Sequence, residues 1–309
     1  RQRGILYSVN SWDGKFYNHT NENAEDFKVD ISDSLKKPTW KTFISAKDEV
    51  LIGGLTFLKN WILRSETSDA LDKLFVKNVT TGIEEELIFS DETVYVPGAS
   101  LLQRDKNTDE IYLSYSSPKT QSRVYSYNLS TKKKSLVKEQ EIPSGHNPDD
   151  YIVERVDCKS HDGRLVPLTI TRHKNTKLDG SAYLLLYGYG SYGSSMSPGF
   201  SSTRLSLINR DIIWVTAHIR GGMERGMKWW KEGKLLNKKN TFEDYIASAK
   251  YLIENKYTSK NKIIGMGGSA GGLLMGVVVN QAPELFLGII MAVPFVDSLT
   301  TNLDHSLPL

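Results

Sequence analysis

Cysteine is nearly absent from this chain, which contains one, Cys158, in 309 residues. A single thiol cannot form a disulfide within the chain, and so low a cysteine content is typical of a reducing compartment. We interpret Cys158 as a packed or partly exposed thiol and not as a nucleophile.

An excess of one charge is also lacking, and so are long hydrophobic runs. The 39 Lys and Arg residues nearly balance the 36 Asp and Glu residues, which leaves a net charge of +3. Short lysine clusters such as Lys132–Lys134 are typical of solvated turns, so nucleic acid is not a predicted partner. The longest apolar stretch, residues 287–296, contains Pro294 and is too short to span a bilayer, so we predict no membrane partner.

Motifs for cofactors and metals are missing as well, and we predict neither. Asp149 and Asp150 have no further ligand at a useful spacing and are interpreted as part of a turn. The chain starts with an arginine and has no apolar signal region. We expect both ends to be cuts through a longer protein. What remains is an ordinary globular composition, in a chain long enough for two domains.

The first half contains a divergent repeat of short strand-like segments. Asp30, Asn78 and Asn128 lie in similar apolar segments at spacings of 48 and 50 residues, and a further apolar pair precedes each. A period near fifty with several strands per unit is typical of propeller blades. An irregular antiparallel sandwich is the alternative. Hinge-like residues 142–148 separate this half, so we predict closing propeller blades over residues 1–148.

The second half, residues 149–309, alternates apolar strands with helices. Residues 182–187, 212–217 and 287–293 are continuous apolar runs, which are typical of strands buried on both faces. A helix is predicted from Thr241 to Asn255, with Asn240 or Thr241 as its N-cap. This alternation predicts a mostly parallel α/β sheet, and such sheets bind ligands beyond the carboxyl ends of their strands.

A glycine-rich turn around Ser269 lies between a predicted strand and a predicted helix. Gly267-Gly268-Ser269-Ala270-Gly271 fits the G-x-S-x-G pattern of a nucleophile elbow. The pattern requires glycines because side chains two residues before and after the serine would collide in so sharp a turn. The alternative is a glycine-rich turn that only packs the helix against the sheet.

Acyl transfer also requires hydrogen-bond donors for the developing oxyanion. The backbone amide of Ala270, the residue after the serine, is one candidate. The loop Tyr187–Gly193 follows a strand and combines glycines with phenols, so a tyrosine hydroxyl could be the second donor. From these residues alone, a glycine turn with packed aromatic rings is an equal alternative.

Three further polar groups are interpreted as structural. His218 precedes Ser269, whereas the base follows the nucleophile in α/β-hydrolases. Arg220 and Glu224 are expected to pair and hold their loop, with contact to substrate as the alternative. His305 lies too soon after the elbow to act as the base and is interpreted as a loop residue.

Several of these segments together are similar to the prolyl oligopeptidase family, and within it to the oligopeptidase B branch. The similar segments are residues 187–193, 218–222, 238–245, 267–272, 280–281 and 293–297. The resemblance implies an incomplete α/β-hydrolase catalytic domain preceded by part of an all-β propeller that excludes folded proteins. It implies a cytoplasmic serine endopeptidase that cleaves short peptides after Arg or Lys. Ser269 matches the family's nucleophile, and Tyr189 matches its oxyanion tyrosine.

The chain departs from the family pattern in two ways. The family's acid and histidine would lie beyond residue 309. We therefore expect residues 1–309 by themselves to have little or no peptidase activity. Residues 195–199 contain no acid, so the resemblance does not support a preference for paired basic residues. The alternatives are an esterase or acylaminoacyl-type peptidase on the same fold, or an inactive propeller–hydrolase scaffold. The sequence does not predict an oligomeric state.

Overall fold

Two structural units divide the chain in the computed structural model, which describes residues 2–101 and 106–307. The first unit comprises Arg1–Ser144, Ser197–Phe200 and Met223–Lys228. The second comprises Gly145–Met196, Ser201–Gly222 and Trp229–Leu309. The domain boundary at residue 148 stays a prediction. Within the described residues, no helix is both long and apolar enough to cross a membrane.

Four-stranded antiparallel sheets build the first unit, and each sheet takes its strands in chain order. The described part of this unit has three of them. Their strands are β1 Tyr7–Trp12, β2 Lys15–Thr20, β3 Lys28–Ser32 and β4 Lys41–Ile44; β5 Val50–Phe57, β6 Trp61–Ser68, β7 Leu71–Asn78 and β8 Glu84–Glu86; and β9 Val96–Leu101, β10 Glu110–Ser116, β11 Arg123–Asn128 and β12 Lys134–Glu139.

The sequence repeat corresponds to these sheets. Asp30, Asn78 and Asn128 all lie on the third strand of their sheet. Each apolar pair that precedes them, such as Trp61-Ile62, lies on the second strand. The prediction of one multi-stranded unit per fifty residues is therefore confirmed, and the alternative of an irregular sandwich is wrong.

Apolar side chains between neighbouring sheets form the cores of the first unit. One cluster joins residues of the first two sheets, and a second joins residues of the last two. Burying sheet faces against one another in this way is how propeller blades are stabilised. The fully buried members include Val29 and Ile52 in the first cluster and Leu58, Ile111 and Leu113 in the second.

A six-stranded sheet forms the centre of the second unit, in the order β13-β14-β16-β15-β17-β18. Its first three strands pair antiparallel, and the strands from β16 to β18 pair parallel. Since β15 lies between β16 and β17, the strand order reverses beside it, and ligands bind at such reversals. The strands are β13 Tyr151–Lys159, β14 Leu165–His173, β15 Tyr183–Tyr187, β16 Ile212–Ala217, β17 Ile263–Gly268 and β18 Phe286–Ala292.

The last strand, β18, corrects one prediction. We expected this apolar run to be buried on both faces, yet Leu287, Ile290 and Met291 are exposed. The physical reason is position, since β18 is the outer strand of the sheet and β17 is its only strand neighbour in the described residues. The apolar runs of β15 and β16 lie inside the sheet and are largely buried.

Five α-helices occur in the described residues. Their bounds are α1 Ser202–Ile208, α2 Gly226–Lys231, α3 Lys239–Glu254, α4 Ala270–Gln281 and α5 Ser298–Leu303. The predicted helix at Thr241 corresponds to α3, which buries Tyr245, Ala249 and Leu252 as its apolar spacing indicated. Its predicted N-cap was wrong. Thr241 is buried within the first turn, where its hydroxyl donates to the carbonyl oxygen of Arg220 at 2.8 Å.

Candidate active site

Ser269 occupies a sharp turn between β17 and α4, at the carboxyl end of β17. Its φ of 55° and ψ of −116° are a strained conformation for a residue with a side chain. Backbone hydrogen bonds hold the turn. The Ser269 amide donates to Ala292 at 2.9 Å, and the Ser269 carbonyl accepts from Phe295 at 3.0 Å. The residue is exposed, and its hydroxyl makes no hydrogen bond to any described residue.

The glycines on both sides of Ser269 are required by close backbone approach. A Cβ on Gly267 would lie 2.3 Å from the carbonyl oxygen of Gly271. A Cβ on Gly271 would lie 2.9 Å from the carbonyl oxygen of Gly188. Side chains at these positions would therefore collide with backbone atoms, as the elbow pattern predicts. The alternative, a turn that only packs the helix against the sheet, does not explain why the backbone of Ser269 is strained and the residue is exposed.

Tyr189 lies beside the first turn of α4. A Cβ on Gly271 would be 3.3 Å from Cδ2 of the Tyr189 ring, so the ring edge lies close to a residue two positions after Ser269. The other two tyrosines of this loop are placed differently. Tyr187 stacks on Trp214 with ring centroids 6.2 Å apart, and burial raises the pKa of its hydroxyl. Tyr192 is 76% exposed.

Ala270 is the first residue of α4, and its side chain is buried. The amides of a helix's first turn have no carbonyl partner within the helix. Together with the helix dipole, they favour negative charge at this end. The sheet thus brings the Ser269 hydroxyl, the start of α4 and the Tyr189 ring to the carboxyl ends of β15 and β17.

The residues that were interpreted as structural lie in structural environments. His218 is fully buried, and its Nε2 lies 2.8 Å from Oγ1 of Thr169. His305 is an exposed residue in a turn after α5. The neighbouring Asp297 accepts a hydrogen bond from the Thr300 amide at 3.1 Å and caps that helix.

Arg220 corrects another prediction, because it pairs with two aspartates and not with Glu224. Its guanidinium donates to Asp244 at 2.6 and 2.9 Å and to Asp162 at 2.5 Å. Burial alone would lower the pKa of Arg220, but the hydrogen bonds that it donates to Asp244 and Asp162 raise the pKa above its ordinary value. Nothing in the sequence pattern indicated either aspartate as a partner of Arg220. The only available signal was that a buried arginine requires carboxylate partners.

Metal-binding geometry is not found in the described part of the chain, where no three His, Cys, Asp or Glu residues form a cluster that could hold an ion. Cys158 is buried, with its Sγ 3.5 Å from Oγ of Ser248. Burial raises the pKa of this thiol to about 11, which suits a packed side chain and not an activated nucleophile.

The fold and this turn define a class of protein, an α/β-hydrolase domain preceded by propeller blades, with the hydrolase sheet incomplete. Two family models match the chain. The model described as the prolyl oligopeptidase family matches residues 198–309, and the model of the family's N-terminal beta-propeller domain matches residues 1–140. The chain belongs to the prolyl oligopeptidase family.

Individual relatives support this family assignment. Dipeptidyl aminopeptidase BI from Pseudoxanthomonas mexicana is 37% identical over 100% of this chain and 43% of its own length. Protease 2 from Moraxella lacunata is 37% identical over 100% of this chain and 44% of its own. The structure of oligopeptidase B from Trypanosoma brucei with covalently bound antipain matches with a TM-score of 0.93 and 31% identity, over 100% of this chain and 45% of that one. Prolyl endopeptidases are also among the relatives. This chain thus spans less than half the length of these relatives.

Proposed function

We propose that the protein containing this chain is a serine endopeptidase that hydrolyses short peptides after Arg or Lys. The observation that carries the proposal is the exposed, unbonded hydroxyl of Ser269 on a strained turn at the carboxyl end of β17. A serine raised in this way is positioned to attack a carbonyl carbon from above the sheet. Family membership supports peptide hydrolysis, and the preference for a basic residue is what the resemblance of the sequence motifs to oligopeptidase B implies.

In the proposed mechanism, Oγ of Ser269 forms a bond to the peptide carbonyl carbon, and its proton passes to a general base. The carbonyl oxygen becomes an oxyanion that accepts hydrogen bonds from the Ala270 amide and the Tyr189 hydroxyl. Collapse of this intermediate breaks the C–N bond, the base returns the proton to the departing amine, and water then hydrolyses the acyl-enzyme. No described histidine hydrogen-bonds to Ser269, so we infer that the base lies outside the described residues.

The substrate preference is tested on the full-length protein with short peptides that place Arg, Lys or Pro before the scissile bond. N-terminal dipeptide and acyl-ester substrates complete the panel. We expect kcat/KM to be highest for Arg or Lys. A higher value for Pro, for dipeptide release or for esters would contradict the basic preference, although it would still agree with a serine hydrolase. A cytoplasmic location is part of the same proposal, supported by the low cysteine content, and cell fractionation tests it.

The site assignments are tested with a fluorophosphonate probe and three variants of the same full-length protein. S269A should abolish labelling and activity. Y189F should lower kcat about 10²- to 10³-fold, because one oxyanion donor is lost. Y192F is the matched control, since this exposed tyrosine lies in the same loop, and it should retain nearly full activity. Absence of labelling in the unmodified protein would instead support an inactive scaffold.

A further inference from the structure

The loop Gly188–Gly193, here called the tyrosine loop, is held closely by its neighbours within the second unit. Gly190 has a φ of +64°, and a Cβ there would lie 2.4 Å from Cγ2 of Thr241. Gly221 has a φ of +106°, and a Cβ there would lie 2.0 Å from the Gly190 carbonyl oxygen. The Gly193 amide donates to the Gly221 carbonyl at 2.8 Å. Close packing therefore restricts the backbone of the tyrosine loop to one position.

Lys238 is the residue just before α3, and its side chain extends to the tyrosine loop. Its Nζ donates to the carbonyl oxygen of Gly190, the residue after Tyr189, and to Oγ of Ser191 at 2.8 Å. The ring of Phe242 lies nearby, with its centroid 6.0 Å from Nζ. Both hydrogen-bond acceptors are thus part of the tyrosine loop.

The environment of the Lys238 ammonium is unusual for a structural lysine. In the described residues, no carboxylate lies within ion-pair distance of Nζ, and the residue is half-buried. Burial lowers the pKa of Lys238 to about 8. Burying a cation without a counterion costs free energy. Its presence beside the site is therefore better explained by positioning than by stability.

We propose that Lys238 is a positioning residue for the oxyanion donor. Its two hydrogen bonds hold the backbone that carries Tyr189 against the first turn of α4. The inference rests on the proposed function, because it concerns the same Tyr189 hydroxyl. Lys238 does not touch the reacting atoms in this scheme; it acts through the tyrosine loop. Removing it should loosen the loop and misplace the hydroxyl, which costs rate more than substrate binding.

The test compares K238M with K239M in the full-length protein, with kcat and KM measured on its best peptide substrate. K238M should lower kcat about 10- to 100-fold and change KM by less than about threefold. Lys239 is exposed, and its ammonium forms no hydrogen bond or ion pair with the described residues, so K239M should behave as the unmodified protein. S191A removes one of the two hydrogen bonds without changing the lysine and should give a smaller loss of kcat.

A double variant separates positioning from general stability. If Lys238 acts through the Tyr189 hydroxyl, K238M should lower kcat less than about threefold in a Y189F background. The inference would be overturned if K238M lowered kcat by as large a factor in the Y189F background as in the unmodified protein. It would also be overturned if kcat were unchanged in both K238M and S191A, or unchanged in Y189F. Thermal unfolding identifies a K238M protein that does not fold, in which case S191A, alone and with Y189F, decides. Failure of the proposed function has a different signature, because the unmodified protein would then lack S269A-sensitive activity altogether.

Discussion

Replacing Gly271 with alanine is a direct test of the geometry at the elbow. The new Cβ would lie 2.9 Å from the Gly188 carbonyl oxygen and 3.3 Å from the Tyr189 ring. An ordinary contact begins at 3.4 Å, so the backbone at Gly188 must move by about 0.5 Å. A misplacement of about 1 Å can cost roughly 10²-fold in rate. We therefore expect G271A to lower kcat about tenfold.

The stability of G271A follows from two opposing terms. Overpacking costs about 1–3 kcal/mol, whereas alanine gains up to about 1 kcal/mol over glycine inside a helix. We expect a net loss of about 1 kcal/mol in the free energy of unfolding, measured by urea denaturation of the full-length protein. The rate of fluorophosphonate labelling should fall along with kcat.

Gly276 is the matched control in the same helix. A Cβ there would meet only Cγ1 of Val296, at an ordinary 3.5 Å, so G276A should be neutral or up to about 1 kcal/mol more stable. Its kcat should not change. If G271A is as active as the unmodified protein, or is stabilised like G276A, the close approach between α4 and the tyrosine loop is not what positions Tyr189.

Two further predictions concern buried groups. D244N leaves the Arg220 guanidinium with Asp162 as its remaining close carboxylate, so we expect a loss of about 3 kcal/mol in unfolding free energy. The control E243Q, on the same helix, should change the unfolding free energy by less than about 0.5 kcal/mol. Equal effects of the two variants would contradict the role of the buried pair. Burial raises the pKa of the Cys158 thiol to about 11, so the thiol should resist iodoacetamide at pH 8 in the folded protein and react after unfolding. Mass spectrometry measures the alkylation. Rapid alkylation of the folded protein would contradict the buried position of the thiol.

Much of the architecture followed from short-range patterns along the chain. The fifty-residue repeat, the apolar runs of β15 and β16 and the helical spacing of α3 are local, because alternation and the 3.6-residue period act on neighbouring positions. The elbow was predictable for the same reason. Close backbone approach at Gly267 and Gly271 excludes side chains, and this leaves a five-residue pattern.

The partners of side chains depended on the tertiary structure. Strand order brings the loops after β15 and β17 together, which places the Tyr189 ring beside the first turn of α4. It also places β18 at the outside, so that an apolar run is exposed. Arg220 meets Asp162 across 58 residues of chain, and Lys238 meets Gly190 across 48. Pairings over such distances leave no period in the sequence, because they depend on how the chain crosses the sheet and not on neighbouring residues.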